Sequence, residues 1–300
     1  MTLVLFGLFF LFMLLGVPIA FAIGASTLYA LSQSGVPLMV VTQQMFQGIN
    51  SFALVAVPMF ILAGDLMAQG KVSEKLVNFA DALVGFMRGG LSIVSVMAGM
   101  FFAAISGSGA ATTAAVGSSL VPELKRKGYD PASAASLIAA SGTIGVVIPP
   151  SVPMIIYAVI AQQSVSKLFL NGFIPGVAMG LGLMVIAITQ AYKRQYPHGK
   201  ALSLATIWCT FKDASWGLMT PVIILGGIFS GIFTPSEAAV VAVNYALLVS
   251  LFVYRDLTPR AVYQVLIRSA ITTSVIMLVI AMSAVLSWTL SSWQGPGAIA

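Results

Sequence analysis

Long apolar runs recur along the chain and constrain its fold more than any other feature. Each approaches the ~20 residues that an α-helix needs to cross the hydrocarbon of a bilayer. Charged residues make up only 7% of the 300 residues, against about 25% in soluble domains. Because no polar stretch is long enough to form a soluble domain, the sequence predicts an all-α polytopic membrane protein.

The rare residue types exclude several classes of function. The single cysteine, Cys209, can form neither an internal disulfide nor a thiolate metal site. The single histidine, His198, lies in a polar connection, so neither a haem nor a structural metal site is expected. The net charge of +6 does not indicate nucleic acid, because Lys and Arg gather in short loops, as membrane topology requires.

Proline, glycine and charge divide the apolar chain into segments. A break at Gly16 and Pro18 makes the first stretch either one kinked span or two short ones. The mixed segments 32–51 and 71–88 predict helices that lie along the membrane surface. Two apolar segments separate successive basic clusters, which places all of them on one side of the membrane, assigned as cytoplasmic. These clusters are Arg88, 125–127, 193–212 and 255–268.

Two stretches rich in helix-breaking residues interrupt the apolar runs. The first contains the turn 106–109, where glycine permits the positive φ of a sharp bend. The second contains Pro149 and Pro150, which remove two backbone donors and disfavour the helical conformation of the preceding residue. The sequence therefore predicts a hairpin over 91–121 and a broken helix over 132–161, with the tip and the break side by side.

Such breaks have a specific chemistry. Non-helical backbone survives inside hydrocarbon only when it is buried in protein or lines a cavity. A split helix leaves free carbonyls at one new end, and these carbonyls together with Ser and Thr hydroxyls suit a small hard cation. The other new end has free N–H groups, which attract a carboxylate. Secondary transporters form substrate and Na⁺ sites in this way. Neither stretch, 104–118 or 141–151, contains an ionisable side chain.

Three other interpretations fit parts of the pattern. Small residues at this spacing also permit close helix packing without any site. Ser108 in a Gly-Ser-Gly turn could be the nucleophile of an intramembrane serine protease, but that chemistry needs an adjacent base. A channel would show a charged ring or a repeated filter. Two carboxylates in apolar segments, Asp65 and Glu237, are expected to cap helices or to lie at the interface.

Six motifs in chain order resemble the large membrane subunit of tripartite ATP-independent periplasmic (TRAP) transporters. They occupy 16–20, 60–67, 101–109, 127–130, 140–151 and 227–237. The resemblance implies an elevator-type transporter with inverted repeats, a re-entrant hairpin and broken helices. On this basis 1–217 form the first repeat, and 218–300 begin a second repeat that is incomplete.

The resemblance also implies a function and its partners. It implies a bacterial inner-membrane permease that is not an enzyme, uses Na⁺ as coupling ion and has no organic cofactor. The solute is a carboxylate-bearing anion of the C4-dicarboxylate or sialic acid type. A periplasmic binding protein delivers it, and a small four-helix membrane subunit and membrane lipid are the other partners.

The family's first Na⁺ site maps onto the hairpin tip and the broken helix. The implied Na⁺ ligands are Ser106, Ser108, Gly145, Ile148 and Pro150. The candidates for solute binding are Gly107, Gly109, Thr112 and Ser151. The family pattern continues through a second hairpin and a second broken helix, which are not visible in this sequence. We therefore expect this chain to form at most half of a transport site and to be inactive alone.

Overall fold

A computed structural model describes residues 1–199 and 201–293. Lys200, in the predicted basic connection, and 294–300, at the end of the predicted second repeat, lie outside the described residues. The described part is helical and contains no β-strand, which confirms the all-α prediction. Its α-helices are α1 (Thr2–Leu14), α2 (Ile19–Gln33), α3 (Met39–Ile49), α4 (Ala56–Gln69), α5 (Val72–Val84), α6 (Gly90–Ser106), α7 (Gly109–Arg126), α8 (Pro131–Thr143), α9 (Val152–Ile160), α10 (Val165–Lys193), α11 (Leu204–Phe229), α12 (Pro235–Leu248) and α13 (Pro259–Ser292).

Several helices are long and apolar enough to cross a bilayer. Among the described residues these are Phe52–Gln69, Val165–Lys193, Pro235–Val253 and Pro259–Ser292. Shorter apolar helices include α1, α2 and α6. Helices of this length and composition are those of a multi-pass membrane protein.

The chain divides into two compact units. One comprises Met1–Leu54 with Ala270–Ala300, of which 270–293 are described, and the other comprises Val55–Ser269. In the first unit Leu31, Val41 and Val285 form a buried cluster. The second unit contains both helix-breaking stretches and therefore the whole candidate site.

The first apolar stretch forms two short helices rather than one kinked span. Gly16 has a φ of +79°, which lies in the left-handed region that glycine tolerates. Pro18 is the residue before α2, with extended backbone at φ −55° and ψ 139°. The helix α1 therefore ends before Gly16, and a new helix begins after Pro18.

The amphipathic helix predicted within 71–88 is present as α5, but its apolar face packs on protein. Phe79 stacks on Phe101 of α6 at 5.7 Å between ring centroids and also contacts Phe211 of α11. At its polar edge, Lys75 forms an ion pair of 2.8 Å with Asp213. Lys212, which was predicted to lie in a basic connection, lies inside α11 together with Asp213, because α11 already begins at Leu204.

The structure of the segment after α11 confirms one sequence-based prediction and contradicts another. Thr234 accepts a hydrogen bond from the Glu237 N–H, and the Glu237 carboxylate accepts one from the Thr234 N–H, so both form a capping box at the start of α12. The predicted capping role of Glu237 is confirmed. In contrast, Arg260 and Arg268, expected in a basic loop, lie inside α13.

One end of the second unit is held together by contacts between three loops. Arg194 donates to Asp130 at 2.8 Å, and the Gly89 N–H donates to the Pro197 carbonyl at 3.0 Å. The Tyr129 and Tyr196 rings pack with centroids 4.1 Å apart. The Arg194 guanidinium holds the pKa of Asp130 below its ordinary value. These contacts tie both ends of the α6–α7 pair to the end of α10.

Candidate functional site

The hairpin tip is a tight turn between α6 and α7. Gly107 ends α6 with a φ of +59°, and its N–H donates to the Ala103 carbonyl. Ser108 has extended backbone and caps α7, because its hydroxyl accepts the Ala111 N–H at 3.4 Å. Residue 107 must therefore adopt a left-handed conformation that few side chains tolerate, and the chain reverses as predicted.

The second stretch is a true helix break. A short 3₁₀ segment, Ile144–Val146, follows α8, and regular structure resumes only at Val152. Ser151 closes the gap, since its hydroxyl donates to the Val146 carbonyl at 2.5 Å and accepts the Met154 N–H at 3.4 Å. The predicted break at 145–150 is confirmed.

The tip and the break are in direct contact. The Val152 N–H donates to the Gly107 carbonyl at 3.2 Å. A Cβ built on Gly145 would lie 2.9 Å from the Ser108 carbonyl oxygen and 2.7 Å from the Thr112 hydroxyl. Real Cβ atoms essentially never approach other atoms so closely, so Gly145 is required for this contact. The structure thus brings together the two stretches that the sequence marked.

Helix ends of opposite polarity meet at this contact. The carbonyl ends of α6 and α8 point to it, and α7 and α9 begin at it with their N–H groups. Backbone carbonyls carry partial negative charge and helix N-termini partial positive charge. The site therefore offers ligands to a cation and to an anion without any charged side chain.

The hydroxyls at the tip form a buried network. The Ser106 and Thr112 hydroxyls are 2.9 Å apart, and the Thr112 hydroxyl also donates to the Ser108 carbonyl at 2.8 Å. Ser106 and Thr112 are 1% and 0% exposed, so water does not reach them. The Ser108 hydroxyl caps α7, whereas its carbonyl oxygen is the atom close to Gly145.

The four candidates for solute binding have partners inside the chain. Thr112 and Ser151 are fully buried, and both hydroxyls make the hydrogen bonds described above. A Cβ at Gly107 would collide with the Pro150 carbonyl oxygen, and one at Gly109 would lie 3.0 Å from the Gly142 carbonyl oxygen. In this arrangement all four contribute to the contact between tip and break.

Glycines outside the two stretches complete the site, and these glycines were not predicted from the sequence. A Cβ at Gly64 of α4 would lie 2.9 Å from the Ser106 Cα. On α10, a Cβ at Gly172 would lie 2.7 Å from the Val147 carbonyl oxygen, and one at Gly176 would collide with the Ile148 side chain. The spacing of Gly172, Gly176 and Gly180 at intervals of four was the signal available in the sequence.

Asp65 does not cap a helix, contrary to one of its two expected roles. Its carboxylate accepts the Ser269 hydroxyl at 2.7 Å. Both residues are in the second unit, and the bond links α4 to the start of α13. Asp65 follows Gly64 in the chain and so lies beside the hairpin tip.

The single histidine of the chain is not near Ser108. His198 pairs with Arg88 in an isolated bridge next to the start of α6, whereas Ser108 follows its end. A helix of 17 residues spans about 25 Å. The serine nucleophile of a protease would therefore be far from the one imidazole in the chain.

A hairpin tip packed on a broken helix, within an all-helical apolar chain, is the architecture of a membrane transporter. Comparison with known families assigns the chain. Residues 6–300 match the family described as tripartite ATP-independent periplasmic transporter, DctM component. The chain belongs to this family.

Three relatives show the range of solutes named within the family. The C4-dicarboxylate TRAP transporter large permease protein of Rhodobacter capsulatus is 39% identical over 98% of this chain and 70% of its own length. The isethionate TRAP transporter permease protein of Oleidesulfovibrio alaskensis is 40% identical over 99% of this chain and 47% of its own. The sialic acid TRAP transporter permease protein of Haemophilus influenzae is 38% identical over 89% of this chain and 44% of its own.

The chain spans between about half and 70% of the length of these relatives. All three are transporter permeases, which confirms the prediction that this family member is not an enzyme. The common feature of the three named solutes is an anionic group on a small organic molecule.

Proposed function

We propose that the protein is the large membrane subunit of a Na⁺-coupled importer of small organic anions in the bacterial inner membrane. The observation that carries the proposal is the contact between the hairpin tip and the helix break, at which neutral oxygen atoms converge. A small hard cation prefers oxygen ligands, and a site without carboxylates suits a monovalent ion better than a divalent one.

The Na⁺ ligands are the Ser106 hydroxyl and backbone carbonyl oxygens of the tip and the break. On the tip side the Ser108 carbonyl oxygen faces Gly145 of the break, whereas the Ser108 hydroxyl caps α7. On the break side the carbonyls of Gly145, Ile148 and Pro150 are the remaining ligands. The Thr112 hydroxyl, 2.9 Å from that of Ser106, positions the tip.

The solute binds with its anionic group near the N-termini of α7 and α9. The N–H groups there favour negative charge. Bound Na⁺ adds a positive charge nearby, so each ligand strengthens the binding of the other. That mutual effect is what coupled transport requires, since binding coupling is reciprocal.

Membership of a tripartite periplasmic transporter family supports the proposed partners. A periplasmic binding protein delivers the solute, and a small four-helix membrane subunit is the membrane partner. Transport proceeds by an elevator movement in which the α6–α7 hairpin and the α8–α9 broken helix move as one body. The close contacts of Gly107 and Gly145 make that body rigid.

The test is Na⁺-dependent thermal stability of the purified chain. NaCl is compared with KCl and choline chloride at equal ionic strength. A ligand at ten times its Kd stabilises the folded state by about 1.4 kcal/mol, so NaCl should raise the Tm by several degrees in the wild type and less in Ser106→Ala. Ser136→Ala, an exposed serine of α8 with a local hydrogen bond only, is the matched control.

Uptake provides the second test. Proteoliposomes that contain the chain extended by the family's remaining segments, together with the small membrane subunit and the binding protein, should import solute only under an inward Na⁺ gradient. Equal Tm in the three salts, together with uptake that ignores Na⁺, would overturn the proposal.

A further inference from the structure

A second polar feature lies next to the site, in a cleft between α4, α7 and the start of α13. The cleft has a volume of about 260 Å³ and is open to the surroundings. Its polar lining consists of Asp65, Gln69, Ser118 and Arg268, and all its lining residues belong to the second unit. An aspartate and an arginine inside otherwise apolar helices indicate a functional site, because charged groups there are expensive to maintain.

The cleft begins at the hairpin tip. Gly64, which contacts the Ser106 backbone, directly precedes Asp65. On α7 the lining starts at Ala111, two residues after the helix begins, and continues to Ser118. The cleft therefore extends from the tip along the outer face of the hairpin's second helix.

The lining leaves space for a ligand and provides groups to hold it. On α7 the side chains are alanines at 111, 114 and 115, which occupy little volume. The Ser269 hydroxyl holds the Asp65 carboxylate against α13 at 2.7 Å. Arg268 is adjacent in the chain, and a guanidinium has five donors in a planar fork that matches carboxylate and sulfonate oxygens.

The size and the charge pattern define the ligand class. Sites for drug-sized ligands measure about 300–1,000 Å³, so this cleft of about 260 Å³ suits a molecule of a few carbon atoms. Arg268 attracts the Asp65 carboxylate electrostatically and offers its remaining N–H donors to an anionic group. The Asp65 carboxylate and the Gln69 amide accept hydrogen bonds from a hydroxyl or amine next to that group.

We propose that this cleft is a binding site for a small hydroxylated organic acid, with Arg268 holding its carboxylate or sulfonate. It is an entry or exit station for the transported anion beside the hairpin tip, and in this respect it rests on the proposed function. The binding itself requires neither Na⁺ nor a partner subunit, so it is measured separately from coupling.

The experiment uses a thiol placed in the cleft. Cys209, which is exposed, is replaced by Ser, and Ser118→Cys then provides the only reactive thiol. Its modification by anionic and by cationic methanethiosulfonate reagents is followed in the purified protein, with and without isethionate or malate, two small hydroxylated acids. Arg260→Gln, an exposed arginine of α13 outside the cleft, is the matched control for Arg268→Gln.

The expected result has two parts. At least one of the acids should slow modification several-fold at millimolar concentration, and Arg268→Gln should abolish this protection whereas Arg260→Gln should preserve it. The anionic reagent should react faster than the cationic one in the wild type and also in Arg268→Lys, because both proteins have a positive charge at position 268. Arg268→Lys should nevertheless weaken protection about tenfold, because an ammonium lacks the bidentate fork.

Three results would overturn the proposal. The first is a thiol that reacts with neither reagent, since the cleft would then be closed, and the second is equal protection in the wild type and Arg268→Gln. The third is protection by phosphatidylglycerol but by none of the acids, which would assign the cleft to a lipid headgroup. Failure of Na⁺ coupling would leave all these readouts unchanged. The two proposals can therefore fail independently.

Discussion

The hydroxyls of Ser106 and Thr112, on opposite sides of the hairpin tip, lie 2.9 Å apart with no exposed surface on Thr112. This bond crosses the turn at Gly107 and therefore joins the last residue of α6 to the first turn of α7. It holds the facing ends of the two hairpin helices together through their side chains.

Replacing Thr112 by Val tests this bond. The Val side chain has nearly the same shape, but the buried Ser106 hydroxyl loses its nearest partner, which costs about 1–3 kcal/mol. We expect a lower Tm for Thr112→Val in detergent and a Tm close to the wild type for Thr112→Ser. Equal stability of the Val variant and the wild type would show that the bond contributes nothing.

Gly172 allows α10 to approach the helix break. Gly172→Ala would place a methyl group 2.7 Å from the Val147 carbonyl oxygen, and overpacking of this kind costs about 1–3 kcal/mol. The control is Gly182→Ala on the same helix, where a Cβ meets nothing within 4 Å. We expect the first variant to lower the Tm and the second to leave it unchanged or to raise it, as Ala favours helix. Similar Tm values for both variants would contradict the packing of α10 on the break.

The ion pair between Asp130 and Arg194 predicts a specific pH dependence. Arg194 lowers the pKa of Asp130 in the folded protein, so the stabilisation is present above the unfolded pKa of about 3.9. It is lost as the pH falls through the lower folded pKa. Asp130→Asn keeps a helix-capping side chain but removes the charge. Its Tm should be below that of the wild type at pH 6, and the difference should shrink as the pH falls below about 3.9. A difference that stays constant across this range would exclude the ion pair as its cause.

The capping box at the start of α12 gives a prediction that is independent of the site. Thr234→Ala removes the acceptor for the Glu237 N–H and should cost about 0.5–2 kcal/mol, whereas Thr234→Ser keeps the hydroxyl. Thermal unfolding of the three proteins measures the effect. Na⁺ affinity should be the same in all three, because the cap is not part of the tip or the break.

The sequence predicts the tip and the break because their causes are local. A left-handed turn at Gly107 and two consecutive prolines at 149 and 150 preclude a continuous helix wherever they occur. The partners of these stretches depend on distant parts of the chain. Nothing near residue 106 indicates that Gly64 will pack on it, and nothing near residue 147 indicates Gly172.

The remaining differences between the sequence-based predictions and the structure concern charged residues that lie inside helices. Lys212 and Asp213 have the composition of a loop, but Lys75 of α5 pairs with Asp213 at 2.8 Å and α11 extends through both. Arg268 likewise counts as a loop residue in a hydropathy profile, yet it lines a cleft inside the second unit. Charges that have partners or face a cavity do not interrupt a helix, and a sequence does not reveal those partners.

The tip and the break contain no ionisable side chain, and this determines how a membrane voltage acts on them. A site of this kind has no net charge except that of the ions and solute bound to it. An electric field therefore exerts no force on it when it is empty. Each bound monovalent cation, by contrast, changes energy by about 2.3 kcal/mol per 100 mV across the full membrane. Under the proposed Na⁺ coupling, a solute with one negative charge cancels one cation, and the number of ions in excess of the solute charge would set how strongly the resting potential drives accumulation.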